Sequence, residues 1–281
     1  MISNSAQCTD TSFWAGLSVP EFTQKGQSLS AITARIPKRA QALAAKTKTQ
    51  ALWVLLLGGT GTGKSTLFNA LCSRPVSRTG VERPKTMGAV AFAPQEAEVA
   101  RHLPEFLPVI NTQEGRDQDV TGSAQGLTLV EHQDPKLRSF VLVDTPDLDS
   151  LVTEHQDLTQ DMLLMADVLI FVSSQEKYAD DVLYQALRSI AASGRDLYFV
   201  LNKVDPSSGQ DLSQVLDDVI QSLNQEGSFL QTQRCLALPL LRQASVQDLA
   251  KTPEVQSFVQ ALTAFYASKR VQTFRQRQEQ A

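Results

Sequence analysis

The chain has 281 residues, 42% of them hydrophobic, 20% charged and 6% aromatic, which fits a large globular domain with a sizeable core and excludes a disordered or fibrous chain. Its formal charge is −4, so the overall balance gives no reason to expect nucleic acid as a partner. The charge is uneven, with an acidic middle between basic ends: residues 1–50 carry +4, residues 51–268 carry −11 and residues 269–281 carry +3.

In chain order, Leu29, Ile32, Ile36, Ala40 and Leu43 are spaced as one face of a helix that runs on despite Pro37. Short apolar runs follow, each read as a strand: ALWVLLL (51–57), GAVAFA (88–93), SFVLVD (139–144), DVLIFVSS (167–174), LYFVLNK (197–203) and RCLAL (234–238). Residues 64–73, 153–165, 178–193 and 210–224 between them carry apolar side chains at helical spacing. Strands that are apolar throughout and alternate with helices predict a parallel sheet covered on both faces, an α/β doubly wound fold. GLTLVEH (126–132) is expected to pair with SFVLVD as an antiparallel hairpin around DPK (134–136), making the sheet mixed. Residues 95–125 lack a pattern and read as an insertion or long loop. Val255, Phe258, Val259, Leu262, Phe265 and Tyr266 predict a C-terminal helix. The expected division is a helical flank at 1–50, a central α/β domain at 51–250, and a helix with its tail at 251–281.

Cys8, Cys72 and Cys235 form no CxxC pair, which argues against a disulfide framework or structural zinc and for a reducing, cytoplasmic setting. The longest apolar run falls far below the roughly 20 residues that cross a bilayer. The first residues show no basic start followed by an apolar stretch, so no signal peptide is expected.

GGTGTGKST (58–66) follows an apolar strand and opens a helix, the context that marks a phosphate loop. Gly58, Gly59, Thr60, Gly61, Thr62 and Gly63 let backbone N–H groups curl around a phosphate, and the helix after them points its positive end at the same anion. Lys64 is placed to bridge β- and γ-phosphate oxygens, Ser65 to set its hydroxyl on Mg²⁺, and Thr66 to follow in the same turn. A phosphate loop does not choose the base. NKVD (202–205) ends a parallel strand, where ligands bind in such sheets. The Asp205 carboxylate there can accept from N1–H and the 2-amino group of guanine, whereas adenine offers neither. Asn202 would brace the loop, and the aliphatic stem of Lys203 would lie on the ring.

With these motifs the chain resembles the translation-factor-related class of P-loop GTPases, and within it the Era-like and bacterial dynamin-like branches. The resemblance covers residues 51–240. It matches GGTGTGKS (58–65) to the phosphate loop, DTPD (144–147) to the magnesium and γ-phosphate motif DxxG, and NKVD to the guanine motif. It implies GTP or GDP with Mg²⁺ as the bound species, and hydrolysis of GTP as the activity. Asp144 would hold the metal through water. A switch threonine is implied, either Thr79 or Thr86, with Thr86 preferred because it lies directly before a strand; it would join Lys64 as a catalytic group and Ser65 and Asp144 at the metal. Ala237 and Leu238 are the counterpart of the final guanine-loop motif.

Two departures stand out. Asp147 replaces the glycine of DxxG, and Leu148 stands where Ras-like enzymes carry a water-orienting Gln. Gly61 also stands where potassium-dependent and dynamin-like members use Asn or Ser. Slow intrinsic hydrolysis is therefore expected, rising when an effector protein or a second copy, meeting this one as a homodimer across the nucleotide, supplies a polar or cationic group. Arg78 and Arg83 are candidates to neutralise charge on the phosphoryl group. His102, His132 and His155 show no ligand spacing. A GTP-binding scaffold with little hydrolysis is the second reading, and an ATP-dependent enzyme the third, though the latter leaves NKVD unexplained. Lys38, Arg39, Lys46 and Lys48 at one end, and Lys269, Arg270, Arg275 and Arg277 at the other, suggest peripheral contact with an anionic membrane.

Overall fold

In the computed structural model, the described backbone covers residues 24–79, 88–114, 126–148, 156–174, 187, 196–204, 212–224, 235–239 and 245–279. Helix α1 spans Gln24–Thr49 and runs unbroken through Pro37. Strand β1 (Leu52–Gly58) leads into α2 (Lys64–Leu71), then β2 (Ala89–Pro94), the short α3 (Val99–His102), β3 (Val109–Glu114), β4 (Leu127–His132) and β5 (Phe140–Asp144). After these come α4 (Gln156–Met165), β6 (Val168–Ser174), β7 (Asp196–Val204), α5 (Leu212–Asn224), β8 (Cys235–Pro239), α6 (Val246–Ala250) and α7 (Pro253–Glu279). Of the predicted helix at 178–193, only Leu187 lies within the described residues, where it is helical and buried.

The described strands form one eight-stranded sheet in the order β3-β4-β2-β5-β1-β6-β7-β8. Its pairs are parallel except β2 with β5. The alternation of side chains along a strand explains why these runs are apolar throughout. From β1, Trp53, Leu55 and Leu57 enter a core that also holds Ala42 and Ala45 of α1, Met162 and Met165 of α4, and Val215 and Val219 of α5. Leu52, Val54 and Leu56 enter the opposite core, with Leu67 and Phe68 of α2, Leu249 of α6, and Val255, Phe258 and Leu262 of α7. The doubly wound α/β architecture is the one expected.

Two expectations are corrected. GLTLVEH forms β4, but its neighbours are β2 and β3, both parallel to it, and β2 lies between it and β5. The turn at DPK does form, with Leu137 N–H donating to the Asp134 carbonyl and Lys136 N–H to the Asp134 carboxylate, yet it leads across the end of β2 and closes no hairpin. A strand spacing near 4.8 Å makes that crossing short enough for a seven-residue link. The stretch at 95–125, expected to be a loop, contains α3 and the edge strand β3.

Helix α1 docks through charge as well as packing. The Lys38 ammonium donates to both Asp161 carboxylate oxygens at 2.7 and 2.9 Å, and Lys46 pairs with Asp167. Asp167 also accepts the Trp53 N–H at 2.9 Å, tying the helix to β1. The apolar face expected for α1 is rotated away from this contact: Ala40 is exposed, as are Ile36 and Leu43, while Ala42 and Ala45 are buried. The small alanines let the helix lie close, and its lysines reach the acids on either side. Among the described residues, no helix is long and apolar enough to cross a membrane.

Candidate functional site

Strand β1 lies between β5 and β6, yet its chain continues through α2 to β2 on the far side of β5. This is the switch point at which the carboxyl ends of parallel strands open a crevice. The loop from Gly58 to Gly63 crosses that opening, and α2 begins at Lys64 with its N-terminus facing in.

The loop is braced from within. Thr62 is wholly buried, and its hydroxyl donates to the Gly59 carbonyl at 2.9 Å, so this side chain shapes the loop and does not face a ligand. Gly63 has φ of 87°, and a Cβ built on it would stand 2.2 Å from Asn202 Nδ2. Only glycine fits both constraints. Gly58 ends β1 against the Val172 carbonyl, which a Cβ would meet at 2.4 Å.

The guanine-motif strand reaches this loop from far along the chain. Asn202 Nδ2 donates to the Thr62 carbonyl at 2.9 Å, and Lys203 Nζ donates to the Gly61 carbonyl at 2.6 Å. Lys203 has a φ of 59°, a left-handed conformation at the end of β7. Asn202 is buried, so the amide that would brace a base loop is already committed to the phosphate loop.

On the other side, the Lys64 ammonium is almost fully buried. It donates to Asp144 Oδ1 at 2.7 Å and to the Thr145 carbonyl, and it lies 3.7 Å from Asp147 Oδ1. Thr145 is pinned in turn, its hydroxyl donating to the Leu56 carbonyl at 2.7 Å. The second oxygen of Asp144 accepts from the Ser77 hydroxyl at 2.6 Å. Asn69, buried on α2, holds that segment: its carbonyl oxygen accepts from the Val76 and Ser77 N–H groups, and its amide donates to the Ser77 carbonyl.

A cleft opens above this network. Gly59, Gly61, Gly63, Lys64, Ser65 and Thr66 form its floor, and Arg78, Thr79, Asp147 and Lys203 also line it. Most of the expected site is thus brought together. Thr60 belongs to the same loop, half-buried. Thr79, the alternative switch threonine, reaches the cleft, while Thr86, Arg83 and Asp205 lie outside the described residues. Ala237 pairs with Leu201 beside Asn202, at the right end of the sheet. Leu238, by contrast, is buried in the core, so its side chain packs and does not meet a ligand. Leu148 is buried too, in the core on the other face of the sheet.

Sequence reasoning missed Asn69 and Ser77. The available signal was an amide inside the otherwise apolar run LFNAL, where a buried polar group needs partners.

Among the described residues, no cluster of three or more His, Cys, Asp or Glu could hold a metal by itself. One hydroxyl, Ser65, and one or two carboxylates suit an ion that arrives with phosphate oxygens and keeps its waters, which is how Mg²⁺ binds. The donor set therefore fits nucleotide-borne magnesium.

A protein encoded in the xynA 3′ region of Caldicellulosiruptor sp. (strain Rt8B.4) is 24% identical over 225 residues, 75% of this chain and 56% of that protein. A probable transmembrane GTPase, FZO-like and chloroplastic, from Arabidopsis thaliana is 25% identical over 152 residues, 54% of this chain and 15% of that protein. The chain thus spans little more than half of the first relative and a small part of the second. A solved structure of an oligomerised bacterial dynamin pair, described as sensing and tethering membranes, superposes with a TM-score of 0.54 at 19% identity, over 87% of this chain and 49% of that one. The dynamin family model matches residues 54–204, more than half of the chain and the span that runs from the phosphate loop to the guanine motif; the chain belongs to the dynamin family of P-loop GTPases.

Proposed function

We propose that this chain binds guanine nucleotide and hydrolyses GTP to GDP and phosphate, slowly by itself and faster when a second copy or a partner protein completes the site. The nucleotide state would then order the segments at 74–88 and 144–155. One observation carries the reading: Asn202 and Lys203, from the motif that reads guanine, are hydrogen-bonded to the very loop that cradles phosphates.

In this scheme the loop N–H groups take the β-phosphate and Lys64 leaves Asp144 to bridge β- and γ-oxygens. Ser65 and Asp144 face the metal, and Thr79 or Thr86 closes over the last phosphate. Bound magnesium would neutralise phosphate charge. Water attacks the γ-phosphorus, the bond to the bridging oxygen of GDP breaks, and phosphate leaves. Leu148, buried in the core, does not orient that water, which supports the slow intrinsic rate and the need for an outside group. The same observation favours the second reading, a GTP-binding scaffold. Single-turnover assays separate the two, since phosphate release near zero at every protein concentration leaves the scaffold.

Calorimetry tests the binding reading. GDP should bind and ATP should not, Lys64→Ala should abolish binding, and Asp205→Asn should weaken guanine preference by at least about a hundredfold. Unchanged purine choice in Asp205→Asn would overturn it. Lipid contact belongs to the same proposal. On α1 it would rest on the exposed Arg39 and Lys48, because Lys38 and Lys46 are engaged with Asp161 and Asp167. Sedimentation with anionic vesicles at low salt tests it, and failure there removes it.

A further inference from the structure

We propose that Asp147 sets the choice between di- and triphosphate, its carboxylate opposing the third phosphate and biasing the site toward GDP. The inference rests on the guanine-nucleotide reading above and concerns the position where DxxG has its glycine.

Asp147 follows β5 on the loop that also presents Thr145, and its side chain is only 17% exposed. Its Oδ1 lies 3.7 Å from the Lys64 ammonium, and it lines the cleft beside Ser65 and Thr79. Lys64 is thus held by the Asp144 carboxylate and the Thr145 carbonyl, with the Asp147 carboxylate close by. A diphosphate lies mostly against the N–H groups of the 58–65 loop. Because the lysine of such a loop reaches the β- and γ-phosphates, a third phosphate would lie near the Lys64 ammonium, which stands 3.7 Å from Asp147 Oδ1. There it would meet a largely buried carboxylate of its own sign, and it would have to share Lys64 with that carboxylate. A glycine would oppose nothing and would offer a bare N–H. The diphosphate feels much less of this repulsion because it stops short of it.

The test is an equilibrium titration at fixed Mg²⁺ with fluorescent GDP and with a fluorescent imido-bridged, non-hydrolysable GTP analogue. It compares the unaltered protein with Asp147→Asn, which keeps the volume and removes the charge, and with Asp147→Gly, which removes both. The expected result is an analogue bound about tenfold more tightly by both variants, with GDP affinity changed less than about threefold. Equal changes for the two nucleotides, or none, would overturn the proposal. So would weaker analogue binding by Asp147→Asn, which would make the carboxylate a helper of the metal and not an opponent of the phosphate. If neither nucleotide binds the unaltered, folded protein, the guanine-nucleotide reading itself fails, a result distinct from equal affinities.

Discussion

Gly63 shows how much of the site hangs on single side chains. Its positive φ and the 2.2 Å approach of Asn202 Nδ2 leave no room for a methyl group. Gly63→Ala should lower stability by about 1–3 kcal/mol in urea unfolding and sharply weaken GDP binding. Adding Asn202→Ala should relieve the contact but not the backbone strain, so binding should not return. Positions of this kind were legible in the sequence, because a phosphate loop states its glycines, its Lys64 and its Ser65 as a fixed string in a fixed context. The network beneath was not. Ser77 is an ordinary loop serine until the chain after α2 folds back and sets its hydroxyl against Asp144. Nothing in local spacing announces a bond between residues that far apart. Likewise, the sequence names Asp147 as a departure, but only the structure shows it facing Lys64.

At the scale of elements, docking and edges decide most. Asp167 joins α1 to β1 by accepting the Trp53 N–H and pairing with Lys46. Asp167→Ala strands that partly buried N–H and frees the lysine. It should cost about 2 kcal/mol and speed amide exchange along α1 before the sheet is affected. On β4, His132 stacks on Phe92 with ring centroids 4.1 Å apart, and its Nδ1 accepts the Asp134 N–H. Burial, only partly offset by the charge of Asp134, lowers its pKa from 6.5 to about 4. Above pH 6.5 the ring is neutral in folded and unfolded chains alike, and stability is complete. Between pH 6.5 and 4 the unfolded chain takes the proton and the folded one does not, so stability falls as pH falls. Melting curves across that range should show a shallower decline for His132→Gln than for the unaltered protein. The placement of β4 shows why topology was harder to read than strand identity. The run GLTLVEH is readable as a strand, but its neighbour is set by which edge of β2 stays open once β5 has paired with the other. The exposure of Ile36 and Leu43 has a similar origin: helical periodicity finds a stripe, and tertiary ion pairs choose which stripe docks.

For the whole molecule, two covered faces account for the apolar strands, and the doubly wound fold follows from them directly. Under the proposed hydrolytic reading the centre would lack a water-orienting group of its own, since Leu148 is buried in the core. GTP turnover per molecule should therefore rise with protein concentration, by at least about tenfold from dilute to concentrated solution if a second copy contributes. Brisk turnover in dilute protein with Na⁺ as the only monovalent cation would contradict this.

The bonds from Asn202 to Thr62 and from Lys203 to Gly61 bridge 140 and 142 positions of sequence. A nascent polypeptide that has emerged from the ribosome only as far as β6 already holds the whole 58–66 loop and the Thr62 bond that braces it from within, but it lacks the two bonds from β7 that hold the loop from outside. Ligand affinity should therefore appear abruptly as β7 joins the sheet, a late event for so distant a closure. A labelled nucleotide added to stalled chains of increasing length would report when assembly is finished.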